Sequence, residues 1–289
     1  MIFDEPLFQP GGDRFVVIYF GDDAAIELNF LALGLKAAIG EAGLSAVVDT
    51  NPCYNSLVVE YDPDAIEYDD LLRELRALAA ALGPVDTLEL ESRLAYLPTM
   101  YLDPWTKAAI EDYCVKVKPR EFDPTFVARL NGLEDEKQLV RVHSGTEHWV
   151  ISVCSLPGLP LLRPLDPRSL LTSPKYDPPR LWTPPNAVCT GGMTTSIHTL
   201  RVPGGYNLIG RTPVPMWEAT QRMPIFKDSV VLLRAADRVK FVPIDLDEYR
   251  YVEARVAAGT YEFNVTGYQR FSVGAYRAWA AQQNPKGRF

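Results

Sequence analysis

Arg180, Arg201 and Arg211 fall within one stretch, Pro178 to Pro215, that also holds two glycine pairs, Gly191-Gly192 and Gly204-Gly205. Thr183, Asn186, Thr194, Thr195 and His198 lie between them. Glycine pairs let a backbone approach a ligand closely or take positive φ. A guanidinium beside such a loop can hold a carboxylate in two-pronged geometry. A histidine, with an ordinary pKa of about 6.5, can move a proton near neutral pH. The same glycines also suit tight turns in a β-rich domain, with the arginines solvated.

Several other chemistries have no carrier in the chain. There is no G-x-x-x-x-G-K-[ST] loop and no G-x-G-x-x-G after a strand, so nucleotides are not expected through those motifs. No methionine precedes a lysine, which leaves out the usual biotin attachment site, and there is no G-x-S-x-G elbow. The three histidines, His143, His148 and His198, lack the spacing of a metal site. The net charge of −8 argues against nucleic acid as a partner, and no apolar run is long enough to span a membrane. Cys53, Cys114, Cys154 and Cys189 are spaced neither for zinc nor for a disulfide framework. With an acidic, proline-bearing start unlike a secretory signal, the chain is expected to be cytoplasmic.

At 289 residues, 47% of them hydrophobic, the chain can hold two cores. RFVVIYF (residues 14–20) reads as a buried strand, followed by a helix capped by Asp22 or Asp23. Strands at 46–49, 57–61 and 87–91 and a helix over 69–82 complete a β-α-β-β-α-β order, that of the ferredoxin-like split βαβ unit, over 1–91. Residues 92–139 read as a helical connector, with Asp103 capping a helix that has Pro104 at its first position. From Leu139, short apolar pieces between prolines and glycines predict strands at VRVHSG, HWVISVCSL, AVCTG, TSIHTLRV, YNLIG, VVLLR and RVKFVPI. That is a barrel pattern over 140–289, with helices near the C-terminus packing on it. The fold class is therefore α+β.

The chain resembles the family called allophanate hydrolase subunit 1, 5-oxoprolinase B component or KipI-like, and within it the first half of the urea carboxylase carboxyltransferase domain. The residues that carry the resemblance are LDPR (165–168), TSPKYDPPRLWTPPNAV (172–188), Gly191-Gly192 and PGGYNLIGRTPVPMW (203–217). YLDPWTKAAIEDYCVKVKP and RLNGL look like a segment of the urea carboxylase branch. Thr194-Thr195 and His198 depart from what either branch usually carries. The resemblance implies a ferredoxin-like N-terminal domain followed by a cyclophilin-like β-barrel.

It also implies a subunit that moves a carboxyl group from carboxybiotin to a small urea- or amide-like compound. Biotin would arrive on a biotin carboxyl carrier protein or domain, and the site would be completed by a KipA-like (allophanate hydrolase subunit 2) chain. In that chemistry Arg180 or Arg211 would hold the anion, and His198 or His143 would serve proton transfer. Backbone N–H groups of Gly191, Gly192, Gly204 and Gly205 would stabilise developing charge. Thr183, Asn186, Thr194 and Tyr206 would line the substrate. Two alternatives stand beside this reading. One is the B component of an ATP-dependent 5-oxoprolinase-type lactam hydrolase, with ATP only on partner subunits; the other is a KipI-like regulatory binding protein.

Overall fold

The structure is a computed structural model that describes residues 1–289. Its first unit comprises Met1–Ser92 and Tyr268–Ala281, its second Arg93–Gly267 and Gln282–Phe289. The chain opens with β1 (Ile2–Pro10), β2 (Phe15–Gly21), α1 (Ile26–Ala42), β3 (Val47–Cys53), β4 (Ser56–Tyr61), α2 (Tyr68–Ala81) and β5 (Glu89–Ser92). The second unit holds β6 (Leu94–Tyr101), α3 (Pro104–Lys116), α4 (Asp123–Leu130), α5 (Glu136–Ser144), β7 (Glu147–Val153) and β8 (Pro160–Pro164). It continues with β9 (Ala187–Gly191), β10 (Thr194–His198), β11 (Asn207–Arg211), β12 (Arg238–Pro243) and α6 (Leu246–Ala257). The chain then returns to the first unit with β13 (Gln269–Ser272) and α7 (Val273–Ala280).

In the first unit the sheet order is β1-β2-β4-β3, antiparallel throughout. Alternation along β2 and β4 puts Val16, Ile18, Leu57 and Val59 on the face that meets Leu28, Leu35, Leu71 and Leu75 of the two helices. The expected ferredoxin-like arrangement differs at one edge. The acidic N-terminal segment, not the strand after α2, pairs beside β2, and β5 instead forms a two-stranded sheet with β13. α7, expected on the barrel, belongs to the first unit for the same reason. Phe271 and Tyr276 set their rings 5.8 and 5.7 Å from Phe30 of α1. At the start of α1 the cap residue is Ala25, and Asp23 accepts from the Ala25 N–H rather than capping the helix itself.

The second unit is a closed barrel of seven strands in the order β10-β8-β7-β12-β6-β11-β9. Three expected elements change. VRVHSG is helical: Asp135 caps α5 by accepting from Gln138 N–H, and Leu139, Val142 and His143 are buried on one helical face. VVLLR is a loop with a single bridge, Val231 to Trp217, although Leu232 and Leu233 are buried. β6, part of the expected helical connector, is instead a barrel strand despite Pro98. It pairs with β11 only through Met100 and Tyr101, so the segment before them is open on that side and tolerates a missing donor.

Inside the second unit, Arg93 donates to Asp237 through Nη2 (2.5 Å) and Nε (3.1 Å), and the same carboxylate accepts from Arg234 N–H (2.9 Å). Both side chains are largely buried, 14% and 3% exposed. Removing one partner of such a pair strands a buried charge. Asp237→Ala is expected to lower stability by about 3–5 kcal/mol, read as a lower denaturant midpoint at constant slope. A loss below about 1 kcal/mol would mean that the pair behaves as a surface bridge.

Candidate functional site

Alternation along β9, β10 and β11 sorts the expected site residues to the two sides of the barrel wall. Val188, Ile197 and Ile209 belong to the main core. Ala187, Cys189 and Leu208 face outward, onto Ala109 and Ile110 of α3. His198, Ala187 and Arg211 are in lateral register across β10, β9 and β11, so they share that outer face.

His143 is on the other side. Its ring meets Tyr101, Thr195, His148 and Phe241, residues of four different strands that converge in the barrel interior. Nδ1 lies 2.7 Å from the Tyr101 hydroxyl and Nε2 3.0 Å from Thr195 Oγ1, so both ring nitrogens are satisfied. His148 Nε2–H donates to the His143 carbonyl (2.9 Å). Burial, with His148 beside it, holds His143 well below the ordinary histidine pKa, and burial pushes His148 down to about 4. This is a neutral, packed pair, and it does not meet the other expected site residues.

On the outer side, Arg180 is almost wholly buried at 1% exposure. Its backbone exchanges hydrogen bonds with Gly204, 2.9 and 3.2 Å, which draws the 173–186 loop onto the 199–206 loop. Nη1 donates to the Tyr206 carbonyl (2.5 Å), Nη2 donates to Thr183 Oγ1 (3.2 Å), and Nε has no partner. His198 stands beside it, with a ring hydrogen bond to the Val202 backbone and its Nε2 buried without a partner. Burial and then the Arg180 charge lower the His198 pKa, so the ring is neutral at pH 7. Gly204 makes this convergence possible. A Cβ there would meet Thr183 Oγ1 at 2.5 Å, Arg180 Nη2 at 3.1 Å and His198 Cε1 at 3.3 Å.

The other expected residues divide by role. Tyr206 packs its ring where a Cβ on Gly191 would stand, at 2.5–2.7 Å, and its hydroxyl lies 3.0 Å from Thr194 Oγ1. Gly192, at φ 60°, turns the β9–β10 hairpin. Asn186, also at φ 60°, ties two strand ends: its N–H donates to the His198 carbonyl and its carbonyl accepts from Thr212 N–H. The glycine N–H groups are less available than expected, because Gly192 donates to the Ser173 carbonyl (2.8 Å) and Gly204 to that of Arg180. Gly205 contributes its carbonyl, which accepts from Tyr176 N–H (2.6 Å). The two arginines do not meet: Arg211 donates from Nε to the Pro185 carbonyl (2.9 Å) and lies over Trp105 and Tyr249 instead.

A buried network beneath Arg180 escapes sequence reasoning. Asp123, fully buried, accepts from the Tyr176 hydroxyl (2.6 Å) and from Leu208 N–H (2.7 Å) and pairs with Arg120 (3.0 Å). The Tyr176 ring lies 3.5 Å from the Arg120 guanidinium and 4.4 Å from that of Arg180. Burial pushes the Asp123 carboxyl up, while Arg120 and the Tyr176 hydroxyl draw it back. Even with Asp123 ionised, this cluster sets two guanidiniums against one carboxylate. The only signals in the sequence are Asp123-Pro124, which reads as a loop, and Tyr176 just before the Pro178–Pro215 stretch.

Comparison with known proteins agrees with this architecture. Residues 6–227 match the family model described as the carboxyltransferase domain, subdomain C and D, and the chain belongs to that family. The urea amidolyase of Saccharomyces cerevisiae is 26% identical over 272 residues, which is 90% of this chain but 14% of that protein. The B component of the 5-oxoprolinase of Escherichia coli O157:H7 is 33% identical over 198 residues, 68% of this chain and 78% of that one. These relatives are enzymes or enzyme subunits. The Kluyveromyces lactis urea carboxylase crystal structure shares the fold with a TM-score of 0.83 at 22% identity, over 98% of this chain and 26% of that chain. This chain therefore spans a small part of the longer relatives.

Two outcomes test the geometry. Gly204→Ala is expected to overpack the cluster and cost about 1–3 kcal/mol; unchanged stability would show that Arg180, Thr183 and His198 do not converge there. The buried histidine pair makes the barrel acid-labile. The unfolded chain binds these protons at about pH 6.5, the folded His148 only near 4. Stability is therefore complete above the unfolded value and falls as pH drops towards the folded one, His148 alone contributing about 3 kcal/mol at neutral pH. Denaturant midpoints measured from pH 7 downward should show that slope, reduced in His148→Gln; a flat wild-type profile contradicts it.

Proposed function

We propose that the chain forms one wall of a carboxyltransferase site that passes a carboxyl group to the nitrogen of a small urea- or amide-like compound. The observation that carries the reading is the surplus positive charge buried around Tyr176, whose one unpartnered donor, Arg180 Nε–H, stands beside His198 and Gly204. A buried guanidinium without full compensation favours an anion over water. Carboxybiotin, on a biotin carboxyl carrier protein or domain, would supply the activated carboxyl group. The donor set suits it, since a carboxyl and a ureido group both present planar oxygens that accept from such an N–H.

Within that reading Arg180 binds and orients the carboxyl group, and its charge stabilises the negative charge that grows on the oxygens during transfer. His198, neutral and with its ring proton held at the Val202 backbone, offers the Nε2 lone pair to the proton leaving the acceptor nitrogen. Thr183, Tyr206 and Thr194 keep Arg180 and the adjoining loop in place. A KipA-like subunit 2 chain completes the site, as the small share of the longer relatives spanned by this chain supports.

A second reading is favoured by the 33% identity to a 5-oxoprolinase B component over most of its length. There the same cluster would hold the carboxylate of a lactam substrate, and ATP would bind only to partner subunits. Co-expression with a KipA-like chain, followed by size-exclusion chromatography and carboxylation assays on urea and simple amides, tests the proposal. We expect co-elution, no activity from the chain alone, and activity of the complex that is abolished by avidin. Separate elution sinks partner dependence, and ATP-driven lactam opening insensitive to avidin assigns the second reading. Arg180→Lys, which loses the planar fork, should lower kcat/KM about 30- to 150-fold in an assembled, stable complex.

A further inference from the structure

Arg211 is left outside the site described above, yet its surroundings are those of a built site. Its side chain is 16% exposed, and its guanidinium lies 4.9 Å from the Trp105 ring centroid and 5.5 Å from that of Tyr249. The two rings are themselves 4.8 Å apart. Three elements meet here: the first turn of α3, the end of β11 and the middle of α6.

The hydrogen-bonding capacity of this cluster is largely unused. Arg211 spends Nε–H on the Pro185 carbonyl at 2.9 Å. Its Nη1 is 4.0 Å from Glu253 Oε1, beyond hydrogen-bond reach, and the Glu253 side chain is half exposed. Asp103 is committed elsewhere, accepting from Trp105 N–H (3.0 Å), Thr106 N–H (2.9 Å) and the Thr106 hydroxyl (2.6 Å). Tyr249 is completely buried, and its hydroxyl has no partner at all. A buried hydroxyl without a partner is costly, and a fold that needed only the aromatic ring would be served by phenylalanine.

We infer that Arg211, Tyr249 and Trp105 form a second binding site, for the carboxylate or carbonate group of a small molecule. The two Nη groups of Arg211 present parallel N–H donors to a planar oxyanion. The Tyr249 hydroxyl supplies a third donor. The Trp105 ring covers the guanidinium and keeps water from it, which strengthens the contact. Glu253 occupies the mouth as a loosely held competitor that an entering anion displaces. Binding here is a property of the chain as it stands and is independent of carboxyl transfer.

Thermal-shift and calorimetric titrations of the full chain with bicarbonate and, separately, malonate decide the matter. We expect saturable binding to at least one of them; bicarbonate alone assigns an inorganic carbonate, and malonate an organic carboxylate. Tyr249→Phe should keep the melting temperature of the free chain and weaken binding about tenfold or more. Glu253→Gln should tighten it by removing the competitor. Absence of saturable binding to both probes overturns the inference. So does binding that is unchanged in Tyr249→Phe but lost in Arg180→Lys, which would place the anion beside Gly204 and leave the proposed transfer site standing.

Discussion

Asp123 is fully buried, and the rest of the outer barrel face is organised by what its carboxylate holds. It joins the start of α4 to β11 through Leu208 N–H, to the 173–186 loop through the Tyr176 hydroxyl, and to the connector after α3 through Arg120. Arg120 then reaches Asn207, whose amide donates to Ser173, Pro174 and Thr190. A charge in such a place is tolerated only while every lone pair and donor is satisfied. Tyr176 transmits that order upward by stacking under Arg180, so a loop with little secondary structure holds a guanidinium in a single orientation.

The closed barrel gives this arrangement its two-sidedness. Successive residues of β10 alternate between compartments: Thr195 and Ile197 look inward to His143 and the main core, whereas Thr194 and His198 look outward to Tyr206 and Arg180. The interior is a place for neutral packing, and burial holds both of its histidines in the neutral form. The outer face, covered by α3 and two loops, concentrates arginine against aromatic rings: Arg180 on Tyr176, Arg211 on Trp105 and Arg201 on Trp182. Guanidinium planes stack well on such rings and remain able to donate at their edges. Charge is thereby gathered on one side of a wall only one strand thick.

Much of this was legible in the linear chain wherever a local rule had no competitor. The helix over Tyr68–Ala81 follows from leucine spacing, α3 from Asp103 and Pro104, and β9, β10, β11 and β12 from short apolar runs between glycines and prolines. The Pro178–Pro215 stretch was marked by residue types alone, and Arg180, Thr183, His198, Gly204 and Tyr206 do come together. Errors arose where local and tertiary signals disagreed. The β-branched residues of Val140–Val142 favoured a strand, but the Asp135 cap and a buried helical face prevail in α5. Pro98 hid β6, and the acidic character of the first ten residues hid β1, because strand pairing depends on partners remote in sequence.

The sequence by itself determined the element types of its periodic segments, the two hydrophobic cores and the set of residues from which a polar site could be built. It did so because helix caps, turn residues and period-two alternation act over a few neighbours. Only the tertiary structure decided which of those residues meet. His143 and His198 are alike as sequence, yet a closed barrel puts them on opposite sides of its wall. Arg180 and Arg211 are alike too, but one stacks on Tyr176 above a buried carboxylate more than fifty residues away in sequence, and the other on rings contributed by α3 and α6. Those differences rest on strand register and long-range packing, which no stretch of chain encodes alone.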